Sequence, residues 1–330
     1  MSFVEAAQQI IAVRIPFQKQ AVANSSYTGR ETMKKILLLH ALFFSGALSA
    51  QESPAEGFSL NSKSSLQFNQ IALSNWAPGG ESSLALNGSS TLDGRYNRGV
   101  VTSQLYANWL VGLFKTEDLP IRKSQDHLTI VSLSKYHFTP DFAMGLLADL
   151  TTQVAPSYVF DQDLVQALNG DPDKGIKTGD FLSPGYIELG YGFQYVKPKS
   201  GLDFIIAPVI VKQTVILDED VRTLGLYGND GKTVRSQLGA TVRIAARVPL
   251  MENVVADNKL KFFADYGDQN VDTSLLLSIT GKINKMLSAS VHATLLYDSD
   301  VDTDLAKPGK QEKVQIREVL GLSLTYAFQR

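Results

Sequence analysis

The chain of 330 residues contains no cysteine, which excludes thiol catalysis, thiolate metal centres and disulfides together. Histidine is scarce: of four, His40 lies in an apolar run near the start, His127 is expected near an outer loop, His137 beside a periplasmic turn and His292 on the lumen face of another strand. Their positions do not converge, so a multi-histidine metal site is not expected. Neither sign of charge dominates, with 31 Lys and Arg against 33 Asp and Glu and a net charge of −2. That excludes the basic field a nucleic-acid binder needs. Long hydrophobic runs are also missing. After Gln51 no stretch approaches the ~20 apolar residues of a membrane-spanning helix, so membrane residence would have to use strands.

What is present begins with a targeting segment. "MKKILLLHALFFSGALSAQ" starts at Met33 with two lysines, runs apolar from Ile36 to Leu48 and ends in the small-residue pattern Leu48-Ser49-Ala50. This is the plan of a secretory signal peptide with cleavage after Ala50. Residues 1–32 are read as an over-extension of the gene model, 33–50 as the signal peptide and 51–330 as the mature domain.

Strict alternation dominates that domain. "LSASVHATLLYD" puts Leu287, Ala289, Val291, Ala293, Leu295 and Tyr297 on one face, with Ser288, Ser290, His292 and Thr294 on the other. "VDTSLLLSITGKI", "YIELGYGFQYV" and the closing "VLGLSLTYAF" behave alike. In "TVRSQLGATVRIAARV" the polar face carries Arg235, Arg243 and Arg247. A closed apolar core would have to desolvate these cations, at several kcal/mol per unpaired ion. A wet interior removes that cost, so the apolar faces are expected to look outward to lipid.

The expected fold is therefore all-β, a transmembrane antiparallel barrel of about 12 strands preceded by a signal peptide. Strands are expected near 58–73, 81–95, 99–114, 126–138, 141–156, 180–196, 201–216, 232–249, 254–267, 270–283, 287–299 and 313–328. Short turns at Tyr96-Asn97-Arg98, Thr139-Pro140, Lys197 to Ser200, Met251 to Asn253 and Asn284 to Met286 alternate with mostly longer loops, the longest from Phe160 to Asp180. Short turns at one end and long loops at the other suit an outer-membrane barrel with both termini in the periplasm. Three features sit poorly. Pro208 lies within a strand and calls for a bulge, Glu318 falls on an outward face and calls for a rim position, and the strand at 126–138 alternates badly.

"NQIALSNWAPGGESS", with Asn75, Trp76, Gly79 and Gly80, resembles the hallmark of an uncharacterised family of outer-membrane β-barrels from Bacteroidetes-type bacteria. "DLTTQVAPSY", "FLSPGYIELGYGFQY", "IIAPVIVKQTVILDEDV", "LSITGKINKMLSASVHATLLYDSDV" and "REVLGLSLTYAF" extend the likeness over 58–328. The resemblance implies a fold and a location and no reaction. It also implies a C-terminal insertion signal, carried here by Leu324, Tyr326 and Phe328. Gly79 and Gly80 after Pro78 suit a tight turn, and Trp76 suits the membrane interface or the barrel mouth.

Function is expected in the lumen. Inward positions carry both signs, Asp149, Glu188 and Asp265 against Arg235, Arg243, Arg247, Lys282 and Arg317, with His292 among them. Mixed charge suggests a cross-strand network more than a pore selective for one sign of ion. "YDSDVDTDLAKPG" would place Asp298, Asp300, Asp302 and Asp304 on one side if the strand continued, an echo of a calcium loop. Thr303 and Gly309 stand where such a loop requires Gly and Glu, so a solvated acidic rim is the better reading. No cofactor or catalytic site is expected; the partners are the lipid bilayer, the barrel-insertion machinery and a small polar solute. The leading expectation is a channel or passive transporter for small polar solutes. The alternatives are a closed barrel for structure or surface recognition, and a lipid hydrolase needing His127 beside a serine on the lipid face.

Overall fold

The computed structural model describes residues 56–71, 83–116, 121–160, 162–168, 171, 175–284, 286–303 and 312–329. Twelve long strands close into one antiparallel barrel: β1 (Gly57–Ile71), β2 (Ser83–Arg98), β3 (Val101–Thr116), β4 (Arg122–His137), β5 (Phe142–Thr152), β8 (Gly185–Lys197), β9 (Leu202–Val215), β10 (Val234–Met251), β11 (Val254–Asp265), β12 (Val271–Lys282), β13 (Leu287–Tyr297) and β14 (Gln315–Gln329). Neighbours in sequence are neighbours in the wall, and β14 closes the ring on β1. Two short strands, β6 (Ser157–Val159) and β7 (Ile176–Gly179), pair apart from the barrel. With the helices α1 (Gln162–Ala167) and α2 (Glu219–Thr223) they belong to the long-loop end. No helix among the described residues is long and apolar enough to cross a membrane.

Alternation along each strand sets the two faces. On β14, Leu320, Leu322 and Leu324 are exposed on the outer surface while Ser323 between them is buried on the inner one. Exposed outward residues such as Leu66, Phe68, Leu105, Leu189, Val211 and Ile279 repeat this around the wall. An apolar outer surface on a closed ring is what a lipid-facing barrel requires, because closure leaves no unpaired strand edge. At the short-turn end Tyr136, Phe138, Phe142 and Phe193 form a chain of ring contacts with centroids 5.5, 5.8 and 6.0 Å apart, the aromatic girdle of such a surface. Outward hydroxyls satisfy one another: Ser64 with Ser90 at 3.1 Å, and Ser103 with Ser134 at 3.1 Å.

The irregular positions have local causes. At Pro208 the pairing of β9 slips against both neighbours, between Tyr191 and Phe193 and between Gly239 and Thr241, so the missing N–H falls in a bulge. Tyr266 donates its hydroxyl to the Pro208 carbonyl at 2.6 Å. Glu318 is the fourth residue of β14, exposed at the long-loop end. The poor alternation before 138 arises because β4 starts at Arg122, carries a register shift against Gly112 and Leu113, and has its outer face covered by the loop after β5. There Trp109, 1% exposed, packs with Val111 and Ala155, and its indole N–H reaches the Asp126 carboxylate at 3.2 Å. The same carboxylate accepts from the backbone N–H of Val154 and Ala155.

Two expected boundaries are corrected. The first turn is Gly99-Val100, not Tyr96 to Arg98, because Gly99 supplies the positive φ (+55°) and pairing continues to Arg98 and Val101. β13 stops at Tyr297, so the aspartates beyond it do not extend a strand: the Asp298 carboxylate accepts from the Asp300 N–H at 2.8 Å and turns the chain. At Gly201 (φ +64°) a Cβ would lie 2.0 Å from the Arg247 carbonyl oxygen, so that turn needs glycine.

Candidate functional site: the barrel interior

The interior is lined unevenly. Along β5, β8, β9, β10 and β11 the inward side chains pack solidly. Leu147, Ile210 and Phe263 form an apolar cluster flanked by Val131 and Leu133. Beside it Glu188, 4% exposed, accepts from Arg243 at 2.7 Å and from Lys261, and Arg243 also holds Asp149 at 2.9 Å. Toward the long-loop end the Lys212 ammonium bonds Asp272 at 2.6 Å and Asp298 at 3.4 Å, and lies 5.1 Å from the centre of the Phe263 ring. Gln237 bridges Asp265 (2.8 Å) and Asp300 (3.0 Å), and Arg235 pairs with Asp300 at 2.7 Å. Such charges tolerate burial because every ion has a partner at contact distance.

The arc from β12 through β13 and β14 to β1 differs. Its inward residues are mostly small and polar, among them Ser274, Ser278, Ser288 and Thr294, or charged and exposed, as are Lys63, Lys282 and Arg317. Leu276 and Leu296 also point inward, by their pairing with Lys259 and Ser274, and remain 41% and 39% exposed. An inward leucine on a closed ring gains that exposure only from space inside the barrel. Side chains fill an eight-stranded barrel, and a twelve-stranded one has a larger cross-section. Here the filling comes from one wall.

Side chains bridge the remaining space at two places. Lys259 on β11 sits 5.2 Å from the ring of Tyr106 on β3, directly opposite in the ring of strands. Arg317 on β14 donates to the Gln125 side chain on β4 at 3.0 Å, and Gln125 donates to Asn87 on β2 at 3.2 Å.

Beyond the rim the loops form an ordered cap. Lys177 bonds both Asp180 and Asp218 at 2.5 Å, Asp218 caps α2 by accepting from Val221, and α2 packs on β7. Burial lowers the Lys177 ammonium, but the two carboxylates outweigh it and hold its pKa well above the ordinary lysine value. Burial raises Asp218, and the Lys177 and Val221 hydrogen bonds bring it net below the usual carboxylate range. Burial pushes the Tyr227 phenol up to about 12, and its hydroxyl donates to the Thr178 carbonyl at 2.7 Å. The Asp302 N–H donates to the Leu226 carbonyl at 2.8 Å, tying the loop after β9 to the loop after β13.

The sequence-derived candidates distribute as follows. Asp149, Glu188, Arg235, Arg243 and Asp265 join the packed wall, and Arg247 pairs with Asp257 at 3.1 Å nearer the short-turn end. Lys282, His292 and Arg317 belong to the open arc, where His292 contacts the Ser290 hydroxyl at 3.0 Å. Of the acidic quartet, Asp298 and Asp300 meet Asp272, with ligand atoms within 4.8 Å of one another. The Lys212 ammonium already bonds two of these three carboxylates, and Asp302 turns to the cap. Asp304 and the hallmark Asn75, Trp76, Gly79 and Gly80 lie outside the described residues, as does the signal segment 33–50. Leu324 faces outward, and the backbones of Tyr326 and Phe328 pair with Ser64 and Ser62. The lipid-face hydrolase is overturned: His127 pairs with Leu110 on the inward register of β3, so its ring faces the interior.

Residues missed by sequence reasoning include Lys63, Lys212, Lys259, Lys261 and Tyr106. Alternation alone would have placed Lys259 and Lys261 inward, as it placed Asp272. Lys212 could be placed only once the Pro208 bulge had shifted its register.

Fold and interior together define a closed, twelve-stranded antiparallel barrel of the outer-membrane type with a polar, partly filled lumen. A family model described as "Protein of unknown function (DUF3078)" matches residues 68–158. No curated protein matches the chain. Among solved structures, the chain is similar to an outer membrane channel from Pseudomonas putida F1 (11% identity, 86% of this chain and 100% of that one, TM-score 0.39). It is also similar to the translocator domain of autotransporter NalP from Neisseria meningitidis (9%, 89% and 96%, TM-score 0.35). A third is KdgM porin (9%, 80% and 99%, TM-score 0.31). None of these likenesses assigns a role to a residue of this chain.

Proposed function

We propose that this chain is an integral protein of the bacterial outer membrane that gives small polar solutes a narrow passive path along one side of its lumen. The observation that carries the reading is the contrast between two inward leucines, Leu147 at 2% exposure on the packed wall and Leu276 at 41% on the open arc. The packed wall narrows the bore, and the serine-rich arc keeps a strip of it wet. In this reading the short turns and both chain ends face the periplasm, and the capped loops face outward. Export by the segment from Met33 to Ala50 and insertion through the terminal Leu324, Tyr326 and Phe328 complete it. No catalytic step is assigned.

The second reading, a closed barrel whose cap recognises a surface partner, is favoured by the Lys259–Tyr106 bridge across the bore. Flux decides between them. Liposomes carrying purified protein should admit solutes the size of a monosaccharide or amino acid and exclude larger ones, and Lys259→Ala should speed entry. Absence of flux for every solute, with and without that substitution, would favour the closed barrel.

A further inference from the structure

We propose that the open arc of the lumen selects small anions, with Lys63 and Arg317 as the two charged stations along the path. The inference deepens the conduit reading and rests on it. On the packed wall Asp149 and Glu188 are held by Arg243, Asp272 and Asp298 by Lys212, and Asp300 by Arg235. These five carboxylates share four cations, Lys261 being the second partner of Glu188, so all but one of their charges is cancelled at contact distance and little of their field reaches a solute on the other side of the bore.

The open arc has cations without that cancellation. Lys63 and Arg317 point inward, since Lys63 pairs with Thr91 and Ala327, and Arg317 with Thr294. Both are exposed, and among the described residues neither has a carboxylate within ion-pair distance. The partner of Arg317 is the neutral Gln125 amide, which occupies one of five guanidinium donors and leaves the charge standing. Asp257, on β11 four strands round the ring from Lys63, is bound to Arg247 at 3.1 Å. Lys282, exposed at the short-turn end of β12, adds a third positive charge near Lys63.

The two stations lie near opposite ends of the path. Lys63 pairs with Ala327, ten residues along β14 from Arg317. At ~3.3 Å per residue and a tilt of ~40° that separation is about 25 Å along the barrel axis. An anion entering at either mouth therefore meets a cation, and one midway is bordered by hydroxyls of the serine-rich arc. The ligand class is a small anion, a carboxylate or phosphate ester as readily as chloride, with no recognition of a particular carbon skeleton. Each cation at ~5 Å in a water-like dielectric enriches a monovalent anion about fourfold over neutral solute.

The test is ion selectivity of the full-length mature protein in planar bilayers under a KCl gradient, read as the chloride-to-potassium permeability ratio. The wild type should favour chloride by at least about fourfold, and the preference should shrink toward 1 M salt, where the screening length falls to ~3 Å. Lys63→Glu combined with Arg317→Glu should bring the ratio below one. Lys63→Gln and Arg317→Gln, each checked for heat-modifiable migration as a sign of folding, should lower it singly if the double variant does not insert. A conducting wild type with a ratio at or below one, or a ratio unmoved by these substitutions, overturns the anion proposal and leaves the conduit standing. A folded protein with no conductance overturns the conduit reading and this proposal with it.

Discussion

Leu276 and Leu277 are adjacent on β12, chemically identical and both 41% exposed, yet one points into the barrel and the other away from it. Replacing each by arginine separates lipid from lumen. Leu277 stands near the middle of the twelve-residue strand. At ~3.3 Å per residue and a tilt of ~40° it lies roughly 15 Å from one end and roughly 13 Å from the other, close to the bilayer midplane. An arginine there should destabilise the inserted barrel by ~2–4 kcal/mol. At Leu276 the guanidinium enters the open side of the bore. Its neighbour across the pair is Lys259, and like charges ~4 Å apart in water cost about 1 kcal/mol, less when screened. The expected order is therefore Leu277→Arg worse than Leu276→Arg by at least ~1 kcal/mol. Reversible urea unfolding from phospholipid vesicles, followed by gel mobility and tryptophan fluorescence, measures it. Equal destabilisation at both positions, or the larger loss at Leu276, would refute the assignment of the two faces.

Glu188→Ala should destabilise the barrel by up to ~3–5 kcal/mol, since it strips a partner from Arg243 and Lys261 in a buried cluster. The loss should sit at the low end, because Arg243 keeps Asp149 and Lys261 is partly exposed, and a change under ~0.5 kcal/mol in the same urea assay would contradict the cluster's role. In the cap, Asp218 has a lowered folded pKa, so its contribution is present above the unfolded value of ~3.9 and is lost as pH falls through the folded value. Lys177 has a raised one, so its contribution is complete below ~10.4 and is lost as pH rises through the folded value. Amide exchange in β7 and α2 should show protection between those limits that falls away outside them, and protection unchanged at pH 3 would count against the ion-pair triad. Unboiled protein should migrate differently from boiled protein on a detergent gel, as a closed ring without edges resists unzipping; identical migration would contradict closure.

The barrel was legible because alternation is a local property: the outward leucines and inward serines of β13 and β14 can be read one residue at a time. Twelve strands and most of their ends followed from that pattern and from turn chemistry, although β4 begins at Arg122 and not 126, β5 ends at Thr152 and not 156, and β8 begins at Gly185 and not 180. It failed where tertiary contacts replace solvent or lipid, as on β4, whose outer face is covered by Val154 and Ala155. The inward charges were visible in outline, but their arrangement was not. Which acids are cancelled depends on partners several strands round the ring, such as Lys261 with Glu188 and Lys212 with Asp272. No pattern along one strand encodes that distance. The expected cross-strand network of mixed charges is present on one wall, as Arg243 with Asp149 and Glu188 shows, but alternation could not show that Lys63 and Arg317 stand outside it.

The two-sided interior is open to direct measurement because the chain has no cysteine to interfere. Leu147→Cys and Leu276→Cys place single thiols at inward positions of opposite character, 2% and 41% exposed in the native protein. In protein reconstituted into vesicles, a small, charged, membrane-impermeant thiosulfonate should modify Cys at 276 rapidly and leave Cys at 147 unmodified until the barrel is unfolded. Equal reaction at the two positions, fast or slow, would contradict a lumen that is packed on one wall and open on the other.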